Sequence, residues 1–147
     1  MEESIDLAAL IRKSFCVKEV DIRTYSPLTL AFIGDGIYDL IIRTILVSKG
    51  NESTNRLQHK TASYVKAGTQ SAMIRALMPY LTEEELAIYK RGRNAKPHTT
   101  AKNATLEDYH RAAGFEALVG YLYLLGRTGR ILGILNEGLR QLKMDKI

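Results

Sequence analysis

Apolar residues recur along most of the chain at intervals of three and four, the spacing that gathers them on one face of an α-helix. Strict alternation with polar residues is missing, and no Asn-Gly or Asp-Gly hairpin sits between β-branched runs. The pattern predicts an all-α fold of about six to seven helices in one domain, residues 1–147. A first helix is expected from about Ser4 to Phe15, with Leu7, Leu10 and Ile11 on one face and Ser4 as its cap. Ser26-Pro27 announces the second helix: a capping hydroxyl, then a proline whose missing N–H costs nothing at the first helical position. It is expected to run to about Lys49 and stop at Gly50.

A third helix is expected over roughly Thr54 to Met78, with Gly68 as the place where it would break. Thr82-Glu83-Glu84-Glu85 matches a capping box, with Leu81 and Leu86 spaced as a hydrophobic staple, and the short helix that follows is expected to end near Gly92. Arg93 to Ala104 has no apolar period and is expected to be a polar loop. Thr105-Leu106-Glu107-Asp108 resembles a second capping box opening a helix to Leu125. Gly126 and Gly129 bracket a turn, and Ile131, Leu135, Leu139 and Leu142 mark the last helix. Met144 to Ile147 is expected to fray.

Composition narrows the class. With 147 residues, 46% of them hydrophobic, the chain can bury one sizeable core. Cys16 is the only cysteine, which excludes an intrachain disulfide framework and a cysteine-based zinc cage. The stretch Leu28 to Val47 approaches a membrane span in length but carries Asp35, Asp39 and Arg43, and the acidic start of the chain lacks the pattern of a signal peptide. A cytoplasmic setting is the expectation.

The net charge of +5 becomes informative once located. Residues Leu86 to Leu106 hold five basic residues and no acidic one, so the remainder is balanced. Lys90, Arg91, Arg93, Asn94, Lys96, Thr99, Thr100, Lys102 and Asn103 are side chains of the kind that contact phosphates and sugars, and they read as a loop that binds nucleic acid. An ordinary solvated loop is the plainer alternative.

Two acidic features stand inside apolar segments. Asp35 and Asp39 lie four residues apart, about 40° apart on one helix face, and Arg43 extends the stripe. A carboxylate there must be paired, hydrogen-bonded or bound to metal, because burying it bare costs several kcal/mol. An Asp39–Arg43 salt bridge is the simplest arrangement. Glu116 is the only charged residue between Ala112 and Leu125, flanked by Ala112, Ala113, Gly114, Ala117 and Gly120, small residues that would admit a second helix. Were that helix the one bearing Asp35, the two carboxylates would need a cation between them, and Mg²⁺ suits one or two carboxylates plus phosphate oxygens. Pairing of Glu116 with Arg43 or Arg111 is the alternative. His59, His98 and His110 have no metal-site spacing, and no Walker loop or dinucleotide fingerprint follows a strand.

Leu30-Ala31-Phe32-Ile33-Gly34-Asp35-Gly36-Ile37-Tyr38-Asp39 resembles the signature helix of ribonuclease III, and Gly114-Phe115-Glu116-Ala117-Leu118-Val119-Gly120-Tyr121-Leu122-Tyr123-Leu124 its second acidic helix. Lys90-Arg91-Gly92-Arg93-Asn94-Ala95-Lys96 with Thr99-Thr100-Ala101-Lys102-Asn103 is similar to a loop of the Mini-III branch, which lacks the double-stranded RNA-binding domain. The resemblance spans roughly 28–125. It implies a homodimeric endoribonuclease with Mg²⁺ as cofactor and double-stranded RNA as substrate, trimming precursor large-subunit (23S) ribosomal RNA and leaving 5′-phosphate and 3′-hydroxyl ends. A ribosomal protein is a further candidate partner. By position it makes Asp35 and Glu116 the catalytic, metal-binding carboxylates and Asp39 an auxiliary ligand. Ala31 and Ala113 stand where full-length ribonuclease III has acids, as the Mini-III pattern tends to, which leaves the number of metal ions open. A non-catalytic, basic helical RNA-binding protein that keeps the fold is the competing reading.

Overall fold

The computed structural model describes residues 6–95 and 105–147. They form seven α-helices and no strand: α1 (Leu7–Ser14), α2 (Pro27–Lys49), α3 (Thr54–Val65), α4 (Ala67–Leu77), α5 (Glu83–Asn94), α6 (Leu106–Leu124) and α7 (Thr128–Gln141). Short 3₁₀ turns at Ile22–Thr24 and Met78–Tyr80 lead into α2 and follow α4.

The caps read from the sequence form as side chain to backbone hydrogen bonds. Ser26 Oγ accepts the Thr29 N–H at 3.2 Å, and Thr82 exchanges bonds with Glu85 in both directions of the box. Thr105 Oγ1 accepts the Asp108 N–H at 3.0 Å, but the Asp108 carboxylate does not return the bond and turns instead toward Arg111. The first helix begins later than expected, at Leu7, with Asp6 accepting the Ala9 N–H; Ser4 lies outside the described residues.

Helix α6 is the axis of the fold. From Ala112 to Tyr123 every residue except Glu116 is buried, as befits a helix apolar on all sides and enclosed by neighbours. Helices α2, α5 and α4 pack around it, and α7 closes the bundle against α4 and α6. Tyr38, Ile42 and Leu46 of α2, Met73, Ile74 and Leu77 of α4, and Ile134 of α7 complete the core.

The helix expected over Thr54 to Met78 is two helices, with the break at Lys66, two residues before the Gly68 near which one was expected. Both local and long-range bonds close the end of α3 there. The last carbonyls of α3 are taken by side chains: Thr69 Oγ1 donates to Ser63 O, Tyr38 Oη to Tyr64 O and Gln70 Nε2 to Val65 O, each at 2.7 Å. A helix end needs such partners when it is buried, and here they come from the next helix and from α2. No helix among the described residues is long and apolar enough to cross a membrane.

Candidate active site

The site begins with a close crossing of backbones. A Cβ on Gly34 would lie 1.8 Å from the carbonyl oxygen of Glu116, and one on Gly120 would lie 2.0 Å from that of Leu30. Only glycine lets α2 and α6 approach so closely, and because Asp35 follows Gly34 the approach carries its carboxylate to Glu116. The small residues around Glu116 serve two neighbours rather than one. Gly120 meets α2, while Gly114 and Ala117 meet Tyr89 and Gly92 of α5.

Asp35 and Glu116 share an open cleft of about 440 Å³, lined also by Phe32, Lys66, Gln70 and Tyr109. Glu116 is half-buried, and Gln70 Nε2 donates to its Oε2 at 3.2 Å. Burial first, and then the Asp35 carboxylate within hydrogen-bonding reach, push the Glu116 pKa up to about 8. The two carboxyl groups thus face each other in the cleft, and the Asp35 charge disfavours that of Glu116.

Neither arginine alternative for Glu116 is realised. Arg43 Nε bonds Asp39 Oδ2 at 2.6 Å, and Arg111 reaches Glu107 and Asp108. Asp39 thus sits one turn from Asp35, outside the cleft lining and joined to Arg43. Among the described residues no three His, Cys, Asp or Glu side chains cluster as metal ligands. The candidate donors are two carboxylates, hard oxygen ligands that fit Mg²⁺, which keeps most of its waters; the Gln70 amide lies beside them. Ala31 and Ala113 line the same cleft, so methyl groups form its wall.

The basic segment differs from the expected loop. Lys90, Arg91, Arg93 and Asn94 belong to the last turns of α5, which runs past Gly92 because that glycine is buried against Gly114 and Ala117 of α6. Lys90, Arg91 and Asn94 are exposed, while Arg93 stacks over the Tyr89 ring at 5.7 Å. Lys96, Thr99, Thr100, Lys102 and Asn103 lie outside the described residues. Beside this helix end, Arg93, Asn94, His110 and Arg111 line a second open cavity of about 320 Å³.

Sequence reasoning missed Gln70. Its signal was present: Thr69-Gln70-Ser71 interrupts the apolar period of α4, and all three are buried.

The ribonuclease III domain family matches residues 28–127. A mini-ribonuclease 3 of Clostridium tetani is 46% identical over 125 residues, covering 82% of this chain and 83% of that protein. A mini-ribonuclease 3 of Brevibacillus brevis is 47% identical over 112 residues, covering 76% and 84%. An X-ray crystal structure of a Fusobacterium nucleatum protein superposes with a TM-score of 0.75 at 33% identity, covering 82% of this chain and 93% of that one. With the all-α architecture and the Asp35–Glu116 pair in place, the chain belongs to the ribonuclease III family, in its mini-ribonuclease 3 branch.

Proposed function

We propose that this endoribonuclease cleaves double-stranded RNA with Mg²⁺ and matures the ends of precursor large-subunit (23S) ribosomal RNA in the cytoplasm. The observation that carries the reading is the meeting of Asp35 and Glu116 in an open cleft with no arginine to neutralise them. Asp35 and Glu116 would hold Mg²⁺, which when bound supplies Lewis-acid polarisation of the scissile phosphate and a more acidic water. Asp35, the more exposed of the two, is presented to the backbone of a docked strand, and half-buried Glu116 anchors the site from behind. Lys66 on the cleft rim sets a positive charge beside the incoming phosphates. Asp39 remains an auxiliary acid whose recruitment requires release of Arg43. Hydrolysis that leaves the 3′ oxygen as the departing group yields 5′-phosphate and 3′-hydroxyl ends.

Duplex RNA is read mostly by shape, through 2′-hydroxyl and phosphate contacts, so the basic end of α5 and the segment after it serve without base-specific residues. A homodimer supplies two sites for two strands. Phe32, Leu40 and Val47, exposed apolar residues along α2, suit burial against the second copy. A ribosomal protein that shapes the precursor is a compatible partner.

The test is incubation of the purified protein with duplex RNA in Mg²⁺ and in EDTA. Cutting only with the metal is expected; binding without metal-dependent cutting would leave the non-catalytic RNA-binding reading in its place. Glu116→Gln should slow cleavage by about 10³-fold, the equivalent of several kcal/mol of lost metal-assisted stabilisation, with duplex binding retained. Reversing charge at Arg91, Arg93 and Lys96 together should weaken binding and lower its salt slope by up to about 0.9 for each phosphate contact removed. An unchanged slope would take the RNA contact elsewhere.

A further inference from the structure

Gln70 is 2% exposed and lies at the floor of the Asp35–Glu116 cleft. Its carboxamide orientation is fixed by chemistry: Val65 O, 2.7 Å from Nε2, can only accept, so the nitrogen must face it, and Glu116 Oε2 lies 3.2 Å from the same nitrogen. That leaves Oε1 as the one buried side-chain polar atom without a hydrogen-bond partner among the described residues. A buried unpaired carbonyl is costly, and a native protein that keeps one usually has a use for it. Closing the end of α3 accounts for the bond to Val65 alone. It explains neither the reach to Glu116 nor the orphaned oxygen, since an apolar side chain of the same length would fill the space.

We propose that Gln70 is a positioning residue of the cation site: its N–H holds the Glu116 carboxylate in place beside Asp35, and its Oε1 accepts a hydrogen bond from a water of the bound ion. The inference rests on the proposed metal site at Asp35 and Glu116. It follows the general design of metal sites, in which outer partners orient the ligands and their loss weakens metal binding by about 10–100-fold. It also gives the two-carboxylate site a third oxygen without a third charge. Anchoring of the carboxamide to Val65 O, at the α3–α4 junction, makes the position of that oxygen as rigid as the helix pair itself.

Two substitutions at this position should move metal binding in opposite directions. Binding of Mn²⁺, in place of Mg²⁺, is read on the full chain from the electron paramagnetic resonance signal of the free ion and from the rise in thermal midpoint over EDTA. Gln70→Met, of equal length and without polar atoms, should bind Mn²⁺ at least about tenfold more weakly and show a smaller rise. Gln70→Glu places a third carboxylate against Glu116, so its midpoint should fall in EDTA and recover with Mn²⁺ by more than the wild type gains. Were Gln70 only a cap for α3, Mn²⁺ would bind Gln70→Met as it binds the wild type and would not rescue Gln70→Glu, and either result overturns the proposal. If Gln70→Met fails to fold, the metal rescue of Gln70→Glu decides alone. Glu116→Gln separates the two layers of the argument. Undiminished Mn²⁺ binding in that variant removes the metal site itself, whereas lost binding there with wild-type behaviour at position 70 removes only the role of Gln70.

Discussion

Glu85 and Glu116 are both set into helices that line the core, and their surroundings treat them in opposite ways. Glu85 is 3% exposed, yet every part of it is satisfied: its Oε1 accepts the Thr82 N–H, and the Arg130 guanidinium grips both oxygens at 2.7 Å. Arg130 first, aided by the Thr82 N–H, holds the Glu85 carboxyl below the usual glutamate range despite its burial. Glu116 has one neutral donor and faces Asp35, and its pKa rises to about 8. The first glutamate ties α5 to α7 and needs nothing more. The second lines an open cleft with no cation paired to it among the described residues, which is why the proposed function is built on it.

The crossing that brings Asp35 to Glu116 is most vulnerable at Gly34. Alanine there would place a Cβ 1.8 Å from the Glu116 carbonyl oxygen, which cannot move without its helix. Gly34→Ala is expected to cost about 3 kcal/mol or more, as an overpacked contact between two backbones, and to abolish cleavage by parting Asp35 from Glu116. Gly36, two residues on, has nothing within 4 Å of a Cβ. Gly36→Ala should instead stabilise by about 0.5–1 kcal/mol through helix propensity. Chemical denaturation of both variants measures the contrast; equal effects would mean that α2 and α6 do not cross as described.

What was legible in the sequence depended on whether a signal is local. Ser26, Thr82 and Thr105 cap their helices because a cap is written in four consecutive residues. Glu116 stood out because it alone interrupts a buried run. Its meeting with Asp35 drew on the family motifs as well as on the flanking small residues. Long-range causes were not legible. Gly68 marked the neighbourhood of the break, but its position at Lys66 goes with a bond from Tyr38 of α2 that no local rule supplies. Gly92 looks like a helix stop and is a packing residue, which extended α5 to Asn94. A lone glutamine carries no charge to mark it, and only the fold reveals where the single carboxamide oxygen of Gln70 is left.

A smaller effect, with the opposite chemistry, is expected on the Glu85 side. Arg130→Met keeps the length of the side chain but strips Glu85 of its cation, leaving an acid with 4% of its side chain exposed. Losing one partner of a fully buried pair costs about 3–5 kcal/mol; with 30% of the Arg130 side chain in solvent, about 2 kcal/mol is the expected loss at pH 7. The pH dependence fixes the cause. In the wild type Glu85 binds its proton less readily folded than unfolded, so its contribution is complete above the ordinary value of 4.5 and is lost as the pH falls through the lower, folded value. In Arg130→Met the buried acid has no such partner, and protonation relieves it instead of costing stability. Urea midpoints should therefore differ most near neutrality and converge in acid, while cleavage per folded molecule stays at the wild-type rate because Arg130 lies outside the Asp35–Glu116 cleft. A gap that stays constant from neutrality to acid would show that Arg130 acts by packing over Tyr80 and not by holding the Glu85 charge.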